Sequence, residues 1–464
     1  MSDYRIAKDT MGEIRVPAQA YYGAQTQRAV ENFPISGLRM PRRMIRAMGL
    51  LKKCAAETNL ERKWVPEKLA RAIIQAVEDV IAGKLDAEFP VDIFQTGSGT
   101  STNMNTNEVI AGRANEILGG QRGDKEPVHP NDHVNMGMSS NDTFPSAIHV
   151  AAMEAIEQAL LPALRKLHKA LAAKAREFDG IVKVGRTHLT DAPPIRLGQE
   201  FSGYASMIEH GVTRIENIRP HLCELSQGGT VVGTGLNMHR EFPRLLIAKL
   251  GKHTGIPFKE APNHFEALGS RDAIVEASGA LRTVAVSLMK IANDLRILQS
   301  GPRCGLGEIQ LPTLQPGSSI VPWKVNPVLC EAMMMVCAQV MGNDAAIVIA
   351  GQHGSLELNV MAPVMAHALL QSIDLLANVC NAFVDKCVVG IVADEVRCEE
   401  LVEKSLSMCA PLALHIGYDA AAKVAQEAWA TGKTVREICL EMNVLDEKKL
   451  AEVLDPRRMT ESEP

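Results

Sequence analysis

Aromatic residues make up only 4% of the 464-residue chain. A core must therefore be built from Ala, Leu, Val, Ile and Met, which suits close helix packing better than an all-β sandwich. An excess of basic residues is also missing. The formal net charge of -5 argues against a nucleic-acid binder, which would show a basic face. The first residues, "MSDYRIAKDTMGEIRVP", have no apolar signal core and carry Asp3, Asp9 and Glu13. They match neither a secretory signal nor a transit peptide, so the expected location is cytoplasmic. No stretch is expected to be long and apolar enough to cross a bilayer without charges, so no membrane partner is expected. None of the 10 cysteines forms a CxxC pair, and most sit in apolar helical patterns. Buried reduced thiols follow, not a zinc or iron–sulfur centre, and no metal is expected. Glycine-rich stretches occur, yet neither "GSGTST" nor "GTGLNM" completes GxGxxG, and no P-loop ending GK[ST] follows. A nucleotide fold is disfavoured. Internal repeats and low-complexity segments are lacking as well.

What is present is long helical patterning. Residues 1–138 mix short helices with turn-rich segments and read as an N-terminal domain. Residues 139–393 carry five long apolar helical runs. One starts at Phe144, with Pro162 as a bend. The others run from Leu197 to about His221, from Arg271 to Gly301-Pro302, from Val328 to Ala350, and from Ala362 to Cys387. Several are apolar around much of their circumference, which requires burial on more than one face. One subunit covers five such helices poorly, so the spare faces are expected to pack on other subunits. A membrane span is the competing reading, and Glu331, Asn343, Asp344 and Lys290 within these runs argue against it. Residues 394–464 turn charged and read as a small C-terminal helical domain.

Five segments are dense in small polar residues: "TGSGTSTNMNTNE" from Thr96, "HPNDHVNMGMSSNDTFPS" from His129, "GRTHLTDAPP" from Gly185, "GGTVVGTGLNMH" from Gly228 and "PGSSIVPWKVNP" from Pro316. An isolated loop of this kind is more often a solvated turn than a site. Here the groups form a set. Ser98, Thr100, Ser139, Ser140, Asn141, Thr187 and Asn326 are neutral donors, and Lys324 is a cation. Together they suit a small dianion without a metal. Asn326 is expected to cap, and Pro327 to open, the helix that follows Lys324, whose N-terminal N–H groups favour an anion. Glu331 in the first turns of that helix is placed to orient His188 or stabilise its charge. The bland alternatives are a structural histidine and a carboxylate that only stabilises the helix start.

These segments, in this order, resemble the aspartase/fumarase superfamily: GSSxMPxKxN, TGSGTxxNMN, HPNDxVN, SSNDTFP, GRTHLxDA, GGTxVGTGLN and SGPRCGxGEI. The likeness runs from "KDTMGEIRVPAQAYYGAQTQR" to "HIGYDAAAKVAQEA". "TGSGT" and "SSND" resemble the class II fumarase branch, where aspartases tend to have "GGAGT" and "STND". The resemblance implies a mainly α, three-domain fold with a long helical bundle that assembles into a homotetramer. Each active site would combine segments from three subunits and act on a small dicarboxylate, with no cofactor. The implied reaction is reversible anti addition of water to fumarate, giving L-malate. Ser318 would be the base, with His188, supported by Glu331, handling the hydroxyl. Substrate would be held by Ser98, Gly99, Thr100, Ser139, Ser140, Asn141, Thr187, Ser319, Lys324, Val325 and Asn326. His129, Pro130, Asn131 and Asp132 resemble a second, peripheral dicarboxylate site.

Three departures from the pattern stand out. Val321 and Trp323 replace the usual Met and Gly of the signature loop. Glu126 stands where an arginine is common, beside the peripheral motif. Arg271 replaces a common histidine. Aspartate ammonia-lyase is the alternative enzyme of the same superfamily. A catalytically silent structural homologue is the alternative of another class, and intact Ser318, Lys324, Asn326 and His188 argue against it.

Overall fold

Helix-rich patterning is carried through in the computed structural model, which describes residues 3–462 and is mainly α-helical. Among the described residues, strands form only two-stranded sheets. The first long run begins at Ser140 because Ser139 and Asp142 make a capping box. Asp142 takes the Ser139 N–H, while the Ser139 hydroxyl accepts from the first turn. The helix continues to Glu177 through a π-helical turn at Ile156–Leu160, just before Pro162. Proline lacks an N–H and its ring crowds the carbonyl four residues back, and the widened turn absorbs both. The bend expected at Pro162 is thus a π-bulge.

The other long helices are Leu197–Asn217, Asp272–Leu298, Val328–Gly351 and Ala362–Lys386. Each lies within a few residues of its expected run. Chain contacts group the residues into two compact units. One comprises residues up to Pro162 with Thr213–Ala285 and Ala338–Ala377. The other comprises Ala163–Val212, Val286–Cys337 and the segment from Asn378 onward. In the first unit, helices Arg42–Glu61 and Glu67–Ile81 bury Met44, Met48, Leu51, Ile73 and Val77. In the second, Val402, Leu412, Val424, Ile438 and Leu454 form one apolar cluster beneath Val184. Full burial of one such side chain contributes roughly 1.5–3 kcal/mol.

Two helices, Ser140–Glu177 and Val328–Gly351, do reach the length and apolarity of a membrane span, with mean hydropathy 1.2 and 1.6. Neither is free of charge over that length: Glu154 and Glu157 interrupt the first and Glu331 and Asp344 the second. Two polar residues of the second helix are engaged inside the protein. Asp344, buried, accepts hydrogen bonds from Ser278 Oγ and Arg282 Nη1, both at 2.7 Å. The amide of Asn343 donates to Ser372 Oγ at 3.0 Å. Of the apolar window in Val328–Gly351, only 33% is buried within this chain. Met335 and Ile349 on that helix are 68% and 56% exposed, an apolar surface that the chain itself leaves uncovered.

Arg271 also gains a physical role. Buried, it donates from Nη1 to the carbonyls of Ala267, Leu268 and Ser270, at and just beyond the end of helix His264–Gly269. A cation on the last carbonyls stabilises a helix end. The cysteines are all free, and among them only Cys304 is exposed and Cys409 half-buried.

Candidate active site

In the first unit, the segment at Thr96 turns into helix Thr100–Ile117 through Gly99, whose φ is +76°. A Cβ there would stand 2.3 Å from the Phe144 ring, so only glycine fits. This tight approach lines up three hydroxyls. Ser98 Oγ lies 2.8 Å from Thr100 Oγ1, which lies 2.7 Å from Ser140 Oγ. The row ends at the start of the helix capped by Ser139, where backbone N–H groups favour a carboxylate. Asn141 follows, its amide tied to Val231 O at 2.8 Å.

Asp142, not singled out from sequence, organises this region. Its carboxylate is fully buried and accepts from the N–H groups of Ser139, Gly228 and Thr230 at 2.9, 3.0 and 3.0 Å. The amide of Gln227 adds a bond at 3.1 Å. Burial pushes the Asp142 carboxyl up, while these donors pull it down. One side chain thus fixes both the Ser139–Asn141 turn and the Gly228–Val231 loop. Its donors Gly228 and Thr230 lie 86 and 88 residues further on, so "SSND" read alone gave no sign of this role. Much of "STNMNTNE", by contrast, is structural. Glu108 is buried and accepts from the backbone of Gly23, Gln25 and Thr26 at 2.9 to 3.0 Å, at the start of another helix.

The His129 motif forms a π turn at Pro130–Val134. The ring of His129 caps it, with Nδ1 accepting from the N–H groups of Asn131 and Asp132, both at 3.2 Å. The amide of Asn131 faces Met104 Sδ at 3.8 Å. An open surface beside the turn is lined by Lys125, Glu126, Pro127, His129, Asp132 and His133. Two carboxylates therefore stand among its polar groups.

The second unit holds the other residues. Strands Val182–Thr187 and Thr190–Arg196 form a hairpin with His188 and Leu189 at its two-residue tip, both at φ 59°. Positive φ at both positions matches the twist of a tight hairpin. Thr187 and His188 are exposed. A buried charge cluster holds the hairpin. Glu308 Oε2 accepts from Arg186 Nη1 at 2.8 Å and lies 3.5 Å from Lys183 Nζ, which is also 3.2 Å from Glu200. Glu308 and Lys183 are 0% and 1% exposed. Glu308 is the acid of "CGLGEI", and its part in placing His188 was not read from the sequence.

The Pro316–Pro327 loop is closed on itself. Gly317 N–H donates to Lys324 O at 2.7 Å, and Asn326 Nδ2 donates to Gly317 O at 2.8 Å. A Cβ on Gly317 would meet Lys324 O at 2.8 Å, so glycine permits this closure. Inside the ring, Ser318 Oγ accepts from the N–H groups of Ile320 at 3.1 Å and Val321 at 2.8 Å. A hydroxyl oxygen facing two N–H donors is set up to carry negative charge. Ser319 and Lys324 are exposed and Val325 is half-buried; no ion pair among the described residues engages the Lys324 ammonium.

One expectation fails here. Asn326 does not cap the following helix, because its amide is committed to Gly317. The helix starts at Val328, and the Pro327 carbonyl takes its first N–H bonds. Glu331 does sit in the first turn, but within one chain no bond joins it to His188, and both are exposed.

Trp323 is 95% exposed and has φ +61°, a left-handed conformation that costs a bulky residue about 1–3 kcal/mol. Trp323→Gly is therefore expected to leave thermal stability unchanged or higher while altering KM or kcat for the substrate. If thermal unfolding and both kinetic constants stay at the wild-type values, Trp323 plays no part in loop closure.

Comparison with known proteins places the chain in a family. The pattern of the family described as Lyase matches residues 12–342, and that described as Fumarase C C-terminus matches residues 408–461. A fumarate hydratase class II from Corynebacterium efficiens is 56% identical over 97% of this chain and 94% of its own length. A mitochondrial fumarate hydratase from Rhizopus oryzae is 52% identical over 99% of this chain and 93% of its own. The crystal structure of a class II fumarase from Schistosoma mansoni superposes with a TM-score of 0.95 at 42% identity, covering 98% of this chain and 99% of that one. The shared motifs, the fold and identity of this extent together show that the chain belongs to the class II fumarate hydratase family of lyases.

Proposed function

We propose that the chain catalyses the reversible anti hydration of fumarate to L-malate using its own side chains. The observation that carries this reading is the Ser318 oxygen held toward two backbone N–H groups beside Lys324. In the dehydration direction, ionised Ser318 takes the C3 proton of malate. The electron pair of that C–H bond moves into the adjacent carboxylate, forming a doubly charged aci-carboxylate. Lys324, Asn326, Thr187 and N–H groups of the loop stabilise that charge. The pair then returns to form the C2–C3 double bond as the C2 hydroxyl leaves with a proton from His188. Ser98, Thr100, Ser139, Ser140 and Asn141 hold the second carboxylate and the hydroxyl, with Gly99, Ser319 and Val325 shaping the backbone around them.

The working form is a homotetramer with each site drawn from three subunits. The apolar face of Val328–Gly351 left uncovered in one chain supports it. Light scattering on active enzyme should give a tetramer, and a stable active monomer would remove both the assembly and the shared site. The proposed location is cytoplasmic.

The reaction is read with malate and then aspartate as substrate, following fumarate absorbance. Turnover of malate and none of aspartate is expected. Turnover of aspartate alone makes the chain an ammonia-lyase, and no turnover of either makes it a silent homologue. The same malate rate is expected in excess EDTA. A loss restored by a divalent metal or iron would overturn the metal-free chemistry.

A peripheral dicarboxylate site at His129, Pro130, Asn131 and Asp132 works against the charges of Glu126 and Asp132. Glu126→Arg should therefore raise malate bound outside the active site, measured by equilibrium dialysis. No gain would remove the second site.

A further inference from the structure

Away from the residues proposed to react, three side chains of different chemistry meet in the first unit. Cys54 and Glu57 are three residues apart on helix Arg42–Glu61, so they share a face. His253 is in the last turn of helix Phe242–Thr254. The ligand atoms of Cys54, Glu57 and His253 all lie within 4.8 Å of one another. His253 Nε2 is 3.0 and 3.2 Å from the two carboxylate oxygens of Glu57. Cys54 is buried, while the side chains of Glu57 and His253 are 25% and 30% exposed, so the group is open on one side. The neighbouring cations are occupied elsewhere: Lys249 pairs with Glu61, and Lys53 with Glu78.

We infer that Cys54, Glu57 and His253 form a binding site for a zinc-class divalent cation, which would bridge the two helices. Thiolate, imidazole and carboxylate are the donors such an ion takes, at about 2.0–2.3 Å each. Three atoms already this close reach one ion with small rotamer changes. Thiolate and carboxylate together balance its two positive charges. The Cys54 thiol proton is released to solvent on binding, no electron moves, and a water completes the fourth position. Sequence spacing could not reveal the group, because His253 is 196 residues from Glu57. The site uses none of the residues proposed for hydration, so its loading leaves malate chemistry metal-free.

The test uses the full chain, stripped of metal by dialysis against chelator and titrated with Co²⁺ as a spectroscopic probe. A thiolate-to-cobalt charge-transfer band saturating at one ion per chain is expected, and Zn²⁺ should displace it. Cys54→Ser and His253→Gln should each abolish or strongly weaken the band while keeping wild-type malate turnover, which shows that they are folded. Cys304→Ser, at the exposed thiol, should keep the band. Zn²⁺ should also raise the Tm of the wild type and not that of His253→Gln. No band in the wild type, or a band undiminished in Cys54→Ser, would overturn the assignment.

Discussion

Ser318→Ala is expected to lower malate turnover by roughly a hundredfold or more while malate still binds, as fits loss of one positioned proton-transfer group. Binding persists because Lys324, Asn326 and the hydroxyl row of Ser98, Thr100 and Ser140 are untouched. Only an oxygen is removed from the centre of the loop, where it accepts from Ile320 and Val321. The loop keeps its shape because the Gly317–Lys324 and Asn326–Gly317 bonds close it independently. The variant should also fail to exchange the C3 hydrogen of malate with solvent deuterium. His188→Asn should behave differently. With the base intact, C–H exchange continues while loss of the hydroxyl slows, provided the carbanion lives long enough to return. Normal turnover and exchange in Ser318→Ala would move the base elsewhere.

The second large effect is on the scaffold. Glu308→Ala removes the fully buried carboxylate that faces Lys183 and Arg186. Truncating one partner of a buried charge cluster leaves the others unpaired, at a cost of roughly 3–5 kcal/mol. Denaturant unfolding should show this loss, and turnover should fall because Arg186 lies two residues before His188. Glu308→Gln keeps the shape and one acceptor and should fall between wild type and alanine. A stability change in Glu308→Ala within ~0.5 kcal/mol, the usual size for a surface site, would mean that the cluster does not hold the hairpin.

These two residues mark what the sequence could convey. The Pro316–Pro327 loop stood out because prolines, paired serines, a lysine and a helix start crowd one short stretch, and local crowding of charge-handling groups survives in one dimension; the part given to Ser318 within it came from the family resemblance. The long helices were legible for the same reason, since apolar periodicity is local. Pro162 announced a disturbance, though the form it took, a π turn, depended on the helix remaining packed on both sides of it. Asn326 misled. As a capping residue before a proline it read as a helix start, but closure of the loop onto Gly317 claimed its amide. Asp142 and Glu308 went unread because their partners lie far along the chain, at Gly228 and Thr230 in one case and at Lys183 and Arg186 in the other. A carboxylate that collects distant donors has no local signature. The sequence placed Glu331 beside His188 in function. Within a single chain both lie exposed and no bond joins them.

Hydration of fumarate in D₂O, followed by proton NMR with EDTA present, tests the central claim most directly. A base that exchanges its proton with solvent, acting opposite the attacking water, delivers one deuterium to one face of C3. The predicted product is L-malate carrying a single C3 deuterium as one diastereomer, with the coupling constant of anti addition. A mixture of C3 diastereomers, the syn product, or no malate at all would contradict it.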